Sequence, residues 1–469
     1  MLVNPFFKKR KNDRKLTFHV LGVSYNPCHE DFSACAFTQK TRKICWMLKS
    51  VGHKVICYSN ELSVDKENPE RGVLCDEHVD VTYASELMEA YPNCRESRGY
   101  TSMVLKGSRD HFTELYEFRM IHELKKRLKP GDYICYLVPT LQNEIYDSLV
   151  MDVDGVHHIE VSVGYYFAYM PFKIFESSAI RACHYGYFAR KFQNYQKLSD
   201  MDKRNYMDTG FQHLHYQHIP RLDAVIPYSF YRHEYDFRVN KEDYLLYLGR
   251  LIRSKGILKA IEIAKRVGKR LVVAGPGDFE KEFEKEFQKV PKHVELVGPV
   301  GIEGRRELLS KALALIALPE YWEPFGAIQI EAMASGTPPI VPDYGAFPHY
   351  VRSGYNGYRL NMNQVEQGVW ACKNLDKIDP YNLRDFALRF SNEQNALRYN
   401  AYFQDFERYI AVNGPVFSVA NAFNPTFGLE RLYQDNFQIE NPERDNLDWL
   451  DLDREVEWPE GWMQPVDVS

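Results

Sequence analysis

Short apolar runs alternate with helical segments along most of this chain, and that alternation restricts the fold more than any other feature. LTFHVLGVSY (16–25) is β-branched and apolar, the composition of a buried strand. FTQKTRKICWMLKSVGH (37–53) follows, with Ile44, Met47, Leu48 and Val51 at helical spacing and Gly52 at its end. KVICYS (54–59) is the next strand. A strand–helix–strand unit implies parallel pairing. HFTELYEFRMIHELKKRLKPGDYICYLV (111–138) repeats the scheme, its helix stopped by Pro130-Gly131, and DAVIPYS (223–229) adds a short strand.

A second series begins near residue 243. DYLLYLGR (243–250), KRLVVAGPG (269–277), HVELVGPV (293–300) and LALIALP (313–319) read as strands, with GILKAIEIAKRVG (256–268) and EGRRELLSKA (303–312) as helices between them. The fold class expected is α/β, two doubly wound Rossmann-like domains facing across a cleft, where small-molecule sites usually lie. The division expected is a basic arm at 1–15, an N-terminal acceptor-binding domain at 16–238 and a C-terminal domain at 239–390. A helix crossing back to the first domain (391–412) and an acidic extension (413–469) complete it.

Composition excludes little. Of 469 residues, apolar types make up 45%, enough for sizeable cores. The net charge of −5 names no partner, but it is uneven. KKRKNDRK (8–15) carries six bases and one acid, and the chain from Glu430 onward carries 12 acids and 3 bases. Both ends read first as solvated segments, while a basic arm also suits nucleic acid or an anionic membrane. The nine cysteines form no CxxC pair and no zinc-type set. Cys45, Cys57, Cys135 and Cys183 sit among apolar or aromatic neighbours, as reduced core thiols do, so a cytoplasmic location is expected. No signal peptide or transmembrane run is read, and no metal site.

The stretch YWEPFGAIQIEAMASGTPPIV (321–341) carries the sharpest chemistry. A strand precedes it, AIQIEAMAS reads as a helix, and Gly336 lies past the helix end. Glu323-Pro324-Phe325-Gly326 is then a strand-to-helix turn whose free N–H groups favour an anion. Pro324 pre-sets the helix start. Glu323 at the mouth and Glu331 two turns on are acceptors suited to paired hydroxyls, as in ribose recognition. Helix stabilisation by an N-terminal acid explains Glu323 alone, and does not explain Glu331 in an apolar, small-residue helix.

Upstream, YLGRLIRSKGI puts Gly249 and Arg250 at a strand end and Lys255 at a helix start, two cations placed to suit a diphosphate or simply to face solvent. VVAGPGD offers Gly275 and Gly277 for close backbone approach to a phosphate, a weak signal alone.

Together, GRLIRSKG, AGPGD and EPFGAIQIEAMASGTP resemble the donor-binding motifs of the retaining family-4 glycosyltransferases, which have the GT-B fold. The resemblance covers about 150 residues. It implies that Arg250 and Lys255 contact a donor diphosphate, Glu323 the transferred sugar, Glu331 the nucleotide ribose, and the backbone near Phe325–Ala327 the sugar and phosphate. It further implies a UDP- or GDP-linked sugar as co-substrate, no required cofactor, and retention of anomeric configuration. The chain departs from the family pattern at YGAFPHYV, where many members carry a glutamate, and at NPCHEDFSACAFTQK (26–40), where many carry paired glycines. FHVLGVSY, FSACAFTQK and FESSAIRACHYG are similar to a group of glycosyltransferases from tailed phages and environmental sequences.

The N-terminal half is expected to hold the acceptor. Glu160, Gly164, Glu176 and His184 are the polar members of an aromatic stretch, and Glu160 and His184 are candidates for positioning the acceptor hydroxyl; each also reads as a satisfied core residue. RNYMDTGFQHLHYQHIPRLDAV (204–225) interleaves aromatics with Arg and His, as stacking platforms and amphipathic packing both do. Acceptors in view are a hydroxymethylated base of viral DNA, or a glycan, lipid-linked or small-molecule hydroxyl. An inactive nucleotide-sugar-binding scaffold is the rival from another class.

Overall fold

In the computed structural model, residues 13–33, 35–90, 111–138, 141–150, 152–165, 168, 170–196, 222–361 and 364–413 are described. Most of the basic arm, most of the 204–225 segment and nearly all of the acidic extension lie outside them. The chain divides into two compact units, one running to Ser229 and resuming at Asn392, the other comprising Phe230–Ser391.

The first unit holds a seven-stranded sheet of β1 (Thr17–Leu21), β2 (Lys54–Asn60), β3 (Glu77–Thr82), β4 (Tyr133–Tyr136), β5 (His157–Val163), β6 (Phe172–Phe175) and β7 (Ala224–Val225). Its order is β3-β2-β1-β4-β5-β6-β7, and every pairing is parallel. Side chains alternate across a strand, so each strand feeds two cores. Phe18, Val20, Val55, Cys57, Tyr133 and Cys135 face one core. Leu21, Ile56, Tyr58, Ile134 and Tyr136 face the other, against Tyr116, Met120 and Leu124 of helix His111–Arg127.

Helix Asn392–Asn413 completes the first of these cores with Tyr399, Tyr402, Phe403 and Phe406. The Phe403 ring meets Phe18 edge-on at 4.5 Å, and the Tyr402 hydroxyl donates to Leu222 O at 3.0 Å. Arg14, at the end of the basic arm, bonds through its N–H to Gln404 Oε1 at 3.0 Å. Cys45, Cys57 and Cys135 are buried in this core, whereas Cys183 is partly exposed. Burial pushes the Cys135 thiol well above its ordinary range.

The second unit holds β8 (Tyr244–Leu248), β9 (Arg270–Ala274), β10 (Val294–Gly298), β11 (Ala314–Ile316), β12 (Pro339–Pro342) and β13 (Tyr358–Leu360). Their order is β10-β9-β8-β11-β12-β13, again all parallel. Strand order reverses beside β1 in one sheet and beside β8 in the other. Such switch points leave a crevice at the carboxyl ends of the strands. Among the described residues, no helix is long and apolar enough to cross a membrane.

Candidate active site

The loops at the carboxyl ends of β8, β9 and β11 hold the predicted donor-binding residues of the second unit. After β8, Gly249 N–H donates to Ala274 O at 3.0 Å, and Leu251 N–H to Pro276 O at 2.9 Å. The loops after β8 and β9 therefore run side by side. This contact explains the Gly-Pro-Gly turn. A Cβ on Gly275 would lie 2.0 Å from Gly249 O, and one on Gly277 would lie 2.7 Å from Leu251 Cβ. Their φ angles of 145° and 138° also favour glycine. The room these glycines leave is taken up by this chain's own neighbouring loop.

Arg250 is exposed at this end of the sheet, and its carbonyl accepts from the Tyr247 hydroxyl at 2.7 Å. A single tight turn, Arg253–Lys255, follows and ends at Gly256 with φ 74°. A Cβ on Gly256 would fall 1.8 Å from Leu318 O. Glu320 N–H donates to Ser254 O at 2.8 Å. The turn carrying Lys255 is thus docked on the loop that leaves β11 and leads to Glu323.

The docking brings the charges together. Lys255 Nζ lies 3.3 Å from Glu323 Oε2. Tyr321 bonds both: its hydroxyl donates to Glu323 Oε2 and accepts from Lys255 Nζ. The Lys255 ammonium also lies 4.8 Å from the centroid of the Tyr321 ring. Burial, then the Glu323 charge, push the Tyr321 phenol well above its ordinary range, so it remains a donor. Glu323 is fixed through its backbone as well, its carbonyl accepting from Ala346 N–H at 3.0 Å.

Past Pro324, the buried Phe325 ring packs against Tyr350 at 4.7 Å. Gly326 takes φ 75° and starts helix Ala327–Ala334, with no side chain capping that start. A Cβ there would meet the Phe347 ring at 2.5 Å. Glu331 lies within the helix and is buried. Its Oε2 is 4.0 Å from Arg305 Nε, and Arg305 is also 3.9 Å from Glu234. Lys255, Glu323 and Tyr321 therefore form one cluster, while Glu331 pairs with Arg305. Sequence reasoning did not single out Tyr321, Arg305 or Glu234. For Tyr321 the signal available was its place two residues before Glu323 in the same short loop.

In the first unit, Glu160 sits within β5 at 0% exposure, and its Oε2 accepts from Met170 N–H at 3.0 Å. It lies in register with Tyr136 and Lys173, inside the sheet. His184 is equally buried, with its ring 5.3 Å from Phe175. Glu176 instead lies just past β6 and pairs with Lys40 at 2.7 Å. Lys40 also donates to the carbonyl of Ser162 at 3.0 Å. Among the described residues other than glycine, Ser162 alone takes a positive φ, 54°. A Cβ on Gly164 would come within 2.4 Å of Glu176 Oε2. Lys40, Ser162, Gly164 and Glu176 thus share one corner at the ends of β5 and β6.

Two parallel Rossmann-like sheets of this order define the α/β class of the GT-B fold. Residues 233–384 match the family model described as glycosyl transferases group 1. The match lies within the second unit and covers about a third of the chain. It is similar to an uncharacterized glycosyltransferase of Methanocaldococcus jannaschii, 33% identical over 137 residues, covering 27% of this chain and 35% of that protein. The chain thus spans about a third of the length of this curated relative. Among solved structures it is similar in fold to a sucrose-phosphate synthase from Thermosynechococcus elongatus (TM-score 0.57, 16% identity, covering 85% of this chain and 100% of that one). Anabaena HepE in complex with UDP-glucose is similar too (TM-score 0.52, 12% identity, covering 84% and 100%).

Proposed function

We propose that this protein is a retaining glycosyltransferase that moves a sugar from a nucleoside-diphosphate sugar to an acceptor hydroxyl. The observation that carries the reading is the meeting of Lys255 with Glu323 at the carboxyl ends of β8 and β11, just before an uncapped helix start. A cation, a carboxylate and the N–H end of a helix in one place suit a ligand that is anionic at one end and rich in hydroxyls at the other.

In this reading Arg250 and Lys255 receive the diphosphate and stabilise the charge that builds on it as the glycosidic bond breaks. The N–H groups near Phe325–Ala327 add to that field. Glu323 accepts a hydrogen bond from a hydroxyl of the transferred sugar, and Glu331 holds the ribose diol. A UDP-linked donor is favoured, since a protein of the same fold, HepE, holds UDP-glucose. The seven-stranded unit supplies the acceptor contacts. Glu160 and His184 have 0% exposure, whereas Lys40 and Glu176 have 8% and 5%, so the Lys40–Glu176 corner is the preferred source of those contacts in this proposal.

A panel of UDP- and GDP-linked sugars tests the reading, each incubated with the full chain and with glycan, lipid-linked and hydroxymethylated-DNA acceptors. The DNA arm belongs there because of the basic residues 8–15 and the phage-like motifs. A product carrying the sugar with the donor's anomeric configuration is the result expected. No transfer and no donor hydrolysis across the panel would favour a binding scaffold instead.

A further inference from the structure

Tyr321 has a role that the donor reading does not need and that the geometry supplies. Its hydroxyl is hydrogen-bonded to both charged members of the site, donating to Glu323 Oε2 and accepting from Lys255 Nζ. Lys255 Nζ also reaches Glu323 Oε2 directly, at 3.3 Å; with the phenol removed, that ion pair would be free to shorten. The shortened pair would turn the carboxylate further toward the cation.

We infer that Tyr321 is a positioning residue, which keeps Glu323 Oε2 occupied so that Oε1 is presented to a hydroxyl of the donor sugar. The inference rests on the donor-binding reading of this site. Three observations carry it. The hydroxyl bonds both charged groups, which also touch each other at 3.3 Å. The phenol is held by its ring as well, since the Lys255 ammonium lies 4.8 Å from the ring centroid. The two segments that carry the groups are locked together by the Glu320–Ser254 backbone bond and by the fit of Gly256 under Leu318. The cluster is thus set before any ligand arrives, which is the condition for a preorganised site.

The consequence is a split between the two ends of the donor. A diphosphate carries enough charge to draw Lys255 from a single carboxylate, with or without the phenol. A sugar hydroxyl is neutral and competes poorly with a shortened ion pair for Glu323. Loss of the Tyr321 hydroxyl therefore harms alignment of the sugar far more than capture of the nucleotide.

The test compares wild type with Tyr321→Phe in the full chain, which keeps the ring and removes only the hydroxyl. Steady-state transfer or hydrolysis is measured with UDP-glucose and GDP-mannose, and inhibition with UDP and GDP. The expected result is a kcat lower by about 10-fold or more, as misalignment of reacting groups produces. The inhibition constant of the free nucleotide and the melting temperature stay close to wild type. Unchanged kcat overturns the inference while leaving the donor reading intact. Equal losses of kcat and of free-nucleotide affinity also overturn it, since that pattern marks general damage to the site. A wild-type chain that neither binds nor turns over any of these compounds overturns both readings together.

Discussion

Glu323 Oε2 lies 3.3 Å from Lys255 Nζ, although the two residues come from loops that follow different strands. Neither group is fully exposed, with side-chain exposures of 18% and 28%. This pair is where the proposed sugar and diphosphate ends of the donor meet. The consequences can be measured residue by residue.

Replacing Glu323 by Gln keeps the shape and removes the charge. Transfer should fall by about 100-fold or more, in the range seen when one preorganised transition-state contact is lost. Affinity for the free nucleoside diphosphate should change only a few-fold. Steady-state rates and nucleotide inhibition constants check both halves.

Glu331 is expected to act on the other end of the nucleotide. Glu331→Gln should raise the KM for the donor by roughly 10-fold, about what one charge-assisted hydrogen bond contributes, with less effect on kcat. It should also loosen Arg305, which stands 4.0 Å away and shares its charge with Glu234. A donor lacking one ribose hydroxyl should be bound alike by wild type and variant.

Gly256 allows no side chain. Its φ of 74° is unfavourable for other residues, and a Cβ would lie 1.8 Å from Leu318 O. Gly256→Ala should destabilise the second unit by roughly 2 kcal/mol or more and displace Lys255 with it. Denaturant midpoints read the first effect and donor KM the second. By contrast, alanine at Gly268, where no atom lies within 4 Å of the added Cβ, should cost only the strain of its φ of 68°.

The first unit should be acid-sensitive. Burial drives His157 down to about 4 and His158 to about 3. The unfolded chain therefore takes up protons below about pH 6.5 that the folded chain refuses. Stability contributed by the neutral imidazoles is full above that pH and declines as pH falls toward 4. At pH 5 each would cost roughly 2 kcal/mol. Asp223, raised by burial to about 6, works in the opposite sense, because its penalty is relieved on protonation as pH falls. His158→Gln should therefore flatten the decline of the denaturant midpoint between pH 7 and 5. His158 bonds the Tyr136 hydroxyl at 2.9 Å, a contact the amide can retain.

Much of this architecture is legible in the sequence because parallel strands buried on both faces read as apolar runs. β8, β9, β10 and β11 fall within the segments expected of them. β3, reading EHVDVT at the edge of its sheet, carries no such run and escapes notice. The sequence of helix Ser178–Gln196 shows no apolar stripe from which to read a face. The site divides in the same way. Lys255 and Glu323 announce themselves by residue type and spacing. Their meeting depends on the Ser254–Glu320 contact between two loops, which no local pattern encodes. Gly275 and Gly277 are visible as a turn, but the partner that requires them, the Gly249–Leu251 loop, is visible only in the fold. Glu160 shows as a polar residue near a strand start, and its full burial beside Lys173 follows from the neighbouring strand.

The central claim is that the second unit binds a nucleoside-diphosphate sugar through Lys255 and Glu323. Calorimetric titration of the full chain with UDP-glucose and GDP-mannose, repeated with Lys255→Met, tests it most directly. The account predicts saturable binding of at least one donor at one site per chain, weakened by about 10-fold or more in the variant. Binding that is equal in wild type and Lys255→Met, or no binding of either compound or of free UDP and GDP, would contradict it.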